Sequence, residues 1–206
     1  LDAADEFLDS LEADDRARLY RARWDEVAAG EVVPRLAGLL AGLVGGRSRD
    51  VTARCLGALV VIGPAARGAL DAALPHLASG DQELAGLAAH AVGRVALGDP
   101  AAAVGPLADA FRPGIEEPVM LALLGLGPAA QAAAPVFARA FGHGSARVRR
   151  LALRGLKEIE APAPVVEAVL ARARADRSGA IREYARKLFP RRGPAEPSAA
   201  ADPGGV

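Results

Sequence analysis

One apolar pattern returns five times along this chain and governs what it can fold into. It starts at Val51, Leu84, Val119, Val148 and Ile181, at separations of 33, 35, 29 and 33 residues. Three residues further on stand Arg54, Leu87, Ala122, Leu151 and Tyr184, and four further on stand Cys55, Ala88, Leu123, Ala152 and Ala185. Seven on come Ala58, Ala91, Leu126, Gly155 and Leu188; eight on come Leu59, Val92, Gly127, Leu156 and Phe189. Offsets of 3, 4, 7 and 8 place side chains on one face of an α-helix. Each start therefore predicts a helix with one buried face. Arg54 breaks the series and is expected at the margin of its face.

Each first helix is followed by turn residues and a second apolar stretch. Gly63-Pro64, Gly98-Asp99-Pro100 and Gly127-Pro128 combine a helix terminator with a helix starter. Second helices are predicted over Ala66 to Ala78, Ala101 to Phe111, Ala130 to Phe141 and Ala163 to Ala175. Asp99 is expected to cap the second of these, with Pro100 at its first position. Pro75 lies late in its segment and should kink or restart the helix. Ser145 is the expected N-cap of the helix carrying Arg147, Arg149 and Arg150. A lone helix pair cannot bury its apolar face, whereas stacked pairs share a continuous core.

Composition agrees. Ala and Leu dominate, and aromatics make up only 4%. These are helix formers, and the β-branched and aromatic residues that strands prefer are scarce. The expected fold class is all-α: an α-solenoid, a right-handed superhelix of antiparallel helix pairs. The unequal repeat lengths and the lack of Trp-Leu-Gly-Tyr spacing argue against tetratricopeptide units. The lack of a Thr-Pro-Leu-His turn argues against ankyrin units.

Three stretches carry a family likeness. They are "VTARCLGALVVIGPAARGALDAALPHL" after Asp50, "RVRRLALRGLKEI" from Arg147 to Ile159, and "LGPAAQAAAPVFARAF" from Leu126 to Phe141 with its Gly-Pro-Ala-Ala turn. The pattern resembles the short bacterial HEAT-like repeats of the phycobilisome lyase type, over about residues 30–189. The resemblance implies a repeat scaffold and says little of function, since the family spans scaffolds, lyase chaperones, regulatory modules and a few enzymes. Residues 1–47 are expected to form an N-terminal helical cap and first partial repeat, 48–189 the repeat array, and 190–206 a disordered Pro/Gly-rich tail.

The charge is balanced but unevenly spread. There are 25 basic and 25 acidic residues, a formal net charge of zero. Residues 1–15 hold seven acids (Asp2, Asp5, Glu6, Asp9, Glu12, Asp14, Asp15) and no base. Residues 145–192 hold 13 bases and 5 acids. Ends of opposite sign can bias head-to-tail contacts or steer a charged partner.

No grouping of residues announces chemistry. His76, His90 and His143 lack neighbours at ligand spacing, so no metal is expected. The His-Glu pairs by which the HEAT-like deoxyhypusine hydroxylases hold iron are absent. The stretch Gly42 to Ser48 lacks the Gly-Lys-Ser/Thr end of a phosphate loop, and no Gly-x-Ser-x-Gly elbow occurs. Glu116-Glu117 and Asp14-Asp15 fall at predicted helix starts, where the dipole favours acids. Cys55, alone in an apolar run, is expected to be a buried, inert thiol. Apolar runs are interrupted well before 18 residues, so no membrane-spanning helix is expected.

The basic third of the chain is the best candidate for a contact surface. Arg147, Arg150 and Arg154 are spaced for one helix face; Arg172, Arg182, Arg186 and Lys187 extend the set. Some HEAT-like proteins are alkylpurine DNA glycosylases that cradle a duplex in such a groove and hold the lesion in an aromatic-lined pocket with a carboxylate, but here Trp24 and Tyr20 lie in the acidic N-terminal part, away from these arginines. The expected function is a non-catalytic protein-binding scaffold or adaptor with contacts near residues 147–187, no cofactor, a cytoplasmic location, and a place in a larger protein or complex. An acidic protein suits the basic end; the alternative partner is nucleic acid on the same arginines.

Overall fold

The computed structural model describes residues 32–44 and 48–190. Those residues form helices joined by short turns, without strands. The first row of helices comprises α2 (Arg49–Ile62), α4 (Gln82–Val95), α6 (Glu116–Gly125), α8 (Ala146–Glu158) and α10 (Gly179–Leu188). The second row begins with α1 (Val32–Val44). It continues with a 3-10 run Gly63–Ala69, the short α3 (Leu70–Ala73) and a second 3-10 run Leu74–Ala78. It goes on with α5 (Ala101–Asp109), the 3-10 run Gly127–Ala133 leading into α7 (Ala134–Ala140), and α9 (Ala163–Arg174). Elements pack on their neighbours within each row and on at least one element of the other row. The result is a two-layered α-solenoid. The cap assigned to residues 1–47 is described only from Val32 onward; the tail lies outside the described residues save Pro190.

The five pattern starts fall in the first turn of the five first-row helices, which begin two or three residues earlier. At the fourth position, Cys55, Ala88, Leu123, Ala152 and Ala185 are all buried, while Arg54 is exposed as expected. Burial pushes the Cys55 thiol up to about 11, which keeps it protonated and inert. The helical run Arg49–Ala78 is by length and composition apolar enough to cross a membrane. It is not one rod. The chain leaves helical geometry at Gly63 (φ 66°, ψ −136°), Ala66 and Ala69, and its apolar side chains supply the shared core. At Pro75 the helix only tightens from α to 3-10 over Leu74–Ala78, with Ala73 and Leu74 still in helical geometry.

Close stacking depends on missing side chains. A Cβ at Gly93 in α4 would stand 2.7 Å from the Cβ of Ala122 in α6, and one at Gly86 would stand 3.3 Å from Pro118. Ala85, Ala88, Ala89 and Ala91 complete the small-residue surface of α4. Between the rows, the Phe137 ring of α7 fills the place of a side chain at Gly155, where a Cβ would meet Cε1 at 2.0 Å. Phe137 is wholly buried there.

The turns repeat as well. Gly63 (φ 66°) and Gly127 (φ 60°) both occupy the left-handed region, which glycine enters without a Cβ penalty. Each opens a 3-10 run with proline at its second position, and the run leaves helical geometry at Ala66 and Ala130 respectively. Two expectations about capping change. Pro100, not Asp99, takes the N-cap position of α5, and its carbonyl accepts from the amides of Ala103 and Val104. Asp99 thereby lies one residue outside the helix, and its own amide bonds back to Ala96. Ser145 does take the N-cap position of α8, but its hydroxyl makes no capping bond, and its amide donates to His143 Nδ1 at 3.1 Å. Asp81 is a full cap, accepting from the amides of Glu83 and Leu84 at 3.0 and 3.1 Å.

A ladder of arginines ties the loops between units. Arg112 donates to the carbonyls of Leu77 and Ser79, both at 2.7 Å. Arg49 pairs with Asp81 and Glu83 at the start of the next first-row helix. Arg149 makes a two-pronged bond to Asp176 at 2.8 and 2.9 Å and also donates to the carbonyls of His143 and Gly144. Both side chains of that pair are only 6% exposed. The Arg149 guanidinium, by its hydrogen bonds, holds the Asp176 carboxyl below the usual carboxylate range, outweighing the burial that opposes it.

Two outcomes are expected. Gly155→Ala should overpack against Phe137 and cost about 1–3 kcal/mol, read as a fall in thermal midpoint, with Phe137→Leu in the same chain recovering part of the loss. Because the folded-state pKa of Asp176 is depressed, its stabilisation is present above the unfolded value of about 4 and lost as pH falls through the folded one. Asp176→Asn should cost about 3 kcal/mol near neutrality and flatten the acid limb of the stability profile, measured by urea unfolding against pH.

Candidate binding groove

The outward face of the first row is where exposed side chains of mixed character converge. Glu117 and Leu121 of α6 lie one turn apart, and Arg147, Arg150, Leu151 and Arg154 of α8 share a face at spacings of three and four. Two depressions join along this face. One, of about 410 Å³, is lined by His90, Gly114, Glu116, Glu117, Pro118, Leu121 and Val148. The other, of about 320 Å³, is lined by Glu117, Leu121, Arg147, Arg150, Leu151, Arg154 and Tyr184. Glu117 and Leu121 belong to both, so the groove runs across α4, α6, α8 and α10.

Its floor is apolar and its walls are charged. Leu121 is one of three large apolar side chains left exposed among the described residues, at 37%. The Arg150 guanidinium lies 4.6 Å from the centre of the Tyr184 ring, a cation–π contact that joins α8 to α10. Arg147 pairs with Glu117 across the groove, with 79% of the arginine side chain exposed. Arg154 stands 3.9 Å from Glu158 on its own helix. Exposed pairs of this kind are worth about 0–1 kcal/mol, so both arginines are available to exchange partners. His90 is half-buried, and that burial lowers its pKa against the opposing pull of Glu117. Its imidazole is therefore a neutral hydrogen-bonding group near neutrality.

The other arginines of the sequence expectation lie elsewhere. Arg172 belongs to the second row, where its guanidinium sits 5.3 Å from the Phe141 ring centre. Arg182 donates to the Asp176 carbonyl at 2.6 Å. Arg186, with Arg174, borders a separate depression of about 380 Å³ against Leu170, Ala185, Phe189 and Pro190. Lys187 pairs with Glu183 at 2.8 Å one turn away. The groove thus brings together Arg147, Arg150 and Arg154 but leaves out Arg172, Arg182, Arg186 and the pair-bound Lys187.

Several groove residues escape a reading of periodicity. Tyr184 and Leu151 sit at the third pattern position and count as core by spacing, yet both are half-buried at the margin of the face. Leu121 did leave a signal: it is an apolar residue two places past its start, outside the buried offsets. Among the described residues, no three His, Cys, Asp or Glu side chains gather as a metal site. Glu116 accepts from the Gly114 amide at 2.8 Å and stands 3.9 Å from His143. Asp14, Asp15, Tyr20 and Trp24 lie outside the described residues.

The chain aligns over most of its length with solved helical repeat proteins. A crystal structure of an engineered protein is similar with a TM-score of 0.59 at 16% identity, covering 90% of this chain and 96% of the other. A designed armadillo repeat protein is similar with a TM-score of 0.57 at 16% identity, covering 89% and 97%. The fold is an armadillo-like α-solenoid. A second engineered protein gives 0.59 at 18% identity over 91% and 95%. At such identities the likeness concerns fold alone. No family profile and no curated protein matches the chain.

Proposed function

We propose that this solenoid is a non-catalytic scaffold that binds an acidic, partly apolar protein segment in the groove of α6, α8 and α10. The carrying observation is the shared wall of Arg147, Arg150 and Arg154 beside the exposed Leu121 and the half-buried Leu151 and Tyr184. Apolar floor gives burial; the arginines give register and charge selection. Arg150, braced on Tyr184, is preorganised and desolvates at small entropic cost. The Gly-Pro-Ala-Ala turns at Gly63 and Gly127 support the finer assignment to bacterial HEAT-like repeats, with residues 48–189 as the array.

Nucleic acid is the weaker partner on physical grounds. A phosphate backbone rewards a continuous basic track. Here Glu116 and Glu117 stand in the groove wall and Glu158 flanks Arg154, while four of the seven candidate cations point elsewhere or are bound locally.

The test is to pan the full chain against a displayed library of random dodecapeptides. Enriched peptides should combine Asp or Glu with a Leu or aromatic residue. Their affinity should fall about tenfold or more on Arg150→Glu and be unchanged by Arg67→Glu at the far end of the array. Enrichment without acidic residues, or tight salt-sensitive binding of a short DNA duplex lost with Arg150→Glu, would refute the reading.

A further inference from the structure

The sequence contains one segment with the chemistry this groove selects. Residues 1–15 carry seven carboxylates and no base, with Phe7, Leu8 and Leu11 among them. Along the sequence Asp5, Asp9 and Glu12 follow one another at spacings of four and three, with Phe7, Leu8 and Leu11 interleaved. On α8, Arg154, Arg150 and Arg147 descend at spacings of four and three, beside Leu151 and the exposed Leu121 of α6. Taken in opposite directions the two spacings agree, Asp5 with Arg154, Asp9 with Arg150 and Glu12 with Arg147.

We propose that the acidic segment 1–15 of one copy docks in the Arg147–Arg150–Arg154 groove of a second copy, so that the chain associates head to tail. This rests on the reading of the groove as a binding surface and names one occupant for it. Two further observations support a second copy. The formal net charge is zero and the isoelectric point is about 7.1, so no long-range repulsion keeps copies apart near neutrality. The segment precedes α1, which packs against α2 and the Gly63–Ala69 run, whereas the groove is formed two to four first-row helices further along. A second copy meets that groove without a tether to span the difference. Such an interface joins unlike surfaces, so it leaves a free acidic segment and a free groove at each step and builds open chains.

The groove's present pairs do not block the exchange. Arg147 trades an exposed bond to Glu117, and Arg154 a 3.9 Å contact with Glu158, for carboxylates that arrive with interleaved apolar residues.

Sedimentation of the full chain from low to about 200 µM at about 50 mM salt reads the outcome directly. The weight-average mass should climb above the 21.0 kDa monomer with concentration and return to it at about 500 mM salt, where screening is strong. Two neutral variants separate the halves of the interface: Asp5→Asn/Asp9→Asn/Glu12→Gln and Arg147→Gln/Arg150→Gln/Arg154→Gln. Each alone should stay monomeric with an unchanged circular dichroism spectrum. Mixed in equal amounts they should form a dimer and no larger species, because only one working segment and one working groove remain. A wild-type chain that stays monomeric, association that survives high salt, or a mixture that stays monomeric overturns the proposal. If a monomeric chain still captures acidic library peptides in an Arg150-dependent way, the groove reading stands and only its occupant is wrong.

Discussion

The structure depends on how closely neighbouring first-row helices approach. At Gly93 and Ala122 there is no room for one more methyl group, and the Ala-rich face of α4 extends that contact along the helix. The core is therefore built from many small side chains and few large ones. Dispersion contacts are short-ranged, so close approach replaces side-chain bulk as the source of cohesion. The arrangement also explains the scarcity of aromatics. Among the described residues Phe137 is the largest wholly buried side chain, and it fits because Gly155 opposite carries none.

Stacking alone leaves the relative placement of units free to slide. The arginine ladder at the inter-unit edge supplies direction. Arg112 and Arg149 each reach the carbonyls of a neighbouring loop, and Asp176 takes both prongs of Arg149 in a site almost closed to water. Such bonds are lost if a unit shifts by a fraction of a helical turn. Apolar contact supplies burial, and the charged edge supplies register. The groove on the outer face inherits its geometry from that register, since Glu117, Arg147, Arg150 and Tyr184 come from three different helices.

Much of this was legible in the linear chain. The fourth-position residues Cys55, Ala88, Leu123, Ala152 and Ala185 follow from helical periodicity, which is a local property of the backbone. The Gly-Pro turns at Gly63 and Gly127 follow from the conformational limits of those residues. Local rules failed where two neighbouring residues compete for one role. Pro100 took the N-cap in place of Asp99, its carbonyl accepting from Ala103 and Val104. Periodicity left Arg149 unassigned among the bases of residues 145–192, yet it is buried. Its partner Asp176 lies one repeat away, and the pairing needs the intervening helix to fold back first.

The sequence by itself determined the helices, their apolar faces, the repeat and hence the solenoid. These follow from spacings of three to eight residues, over which backbone geometry dictates position. Only the tertiary structure decided which arginines lie together. Arg147, Arg150 and Arg154 share a groove with Leu121 and Tyr184, whereas Arg172 faces Phe141 on the second row. Separations of about one repeat place residues on neighbouring helices, but their facing depends on the rotation of each helix against the next. That rotation is set by the packing of glycines, alanines and buried ion pairs across the units, which no single helix contains.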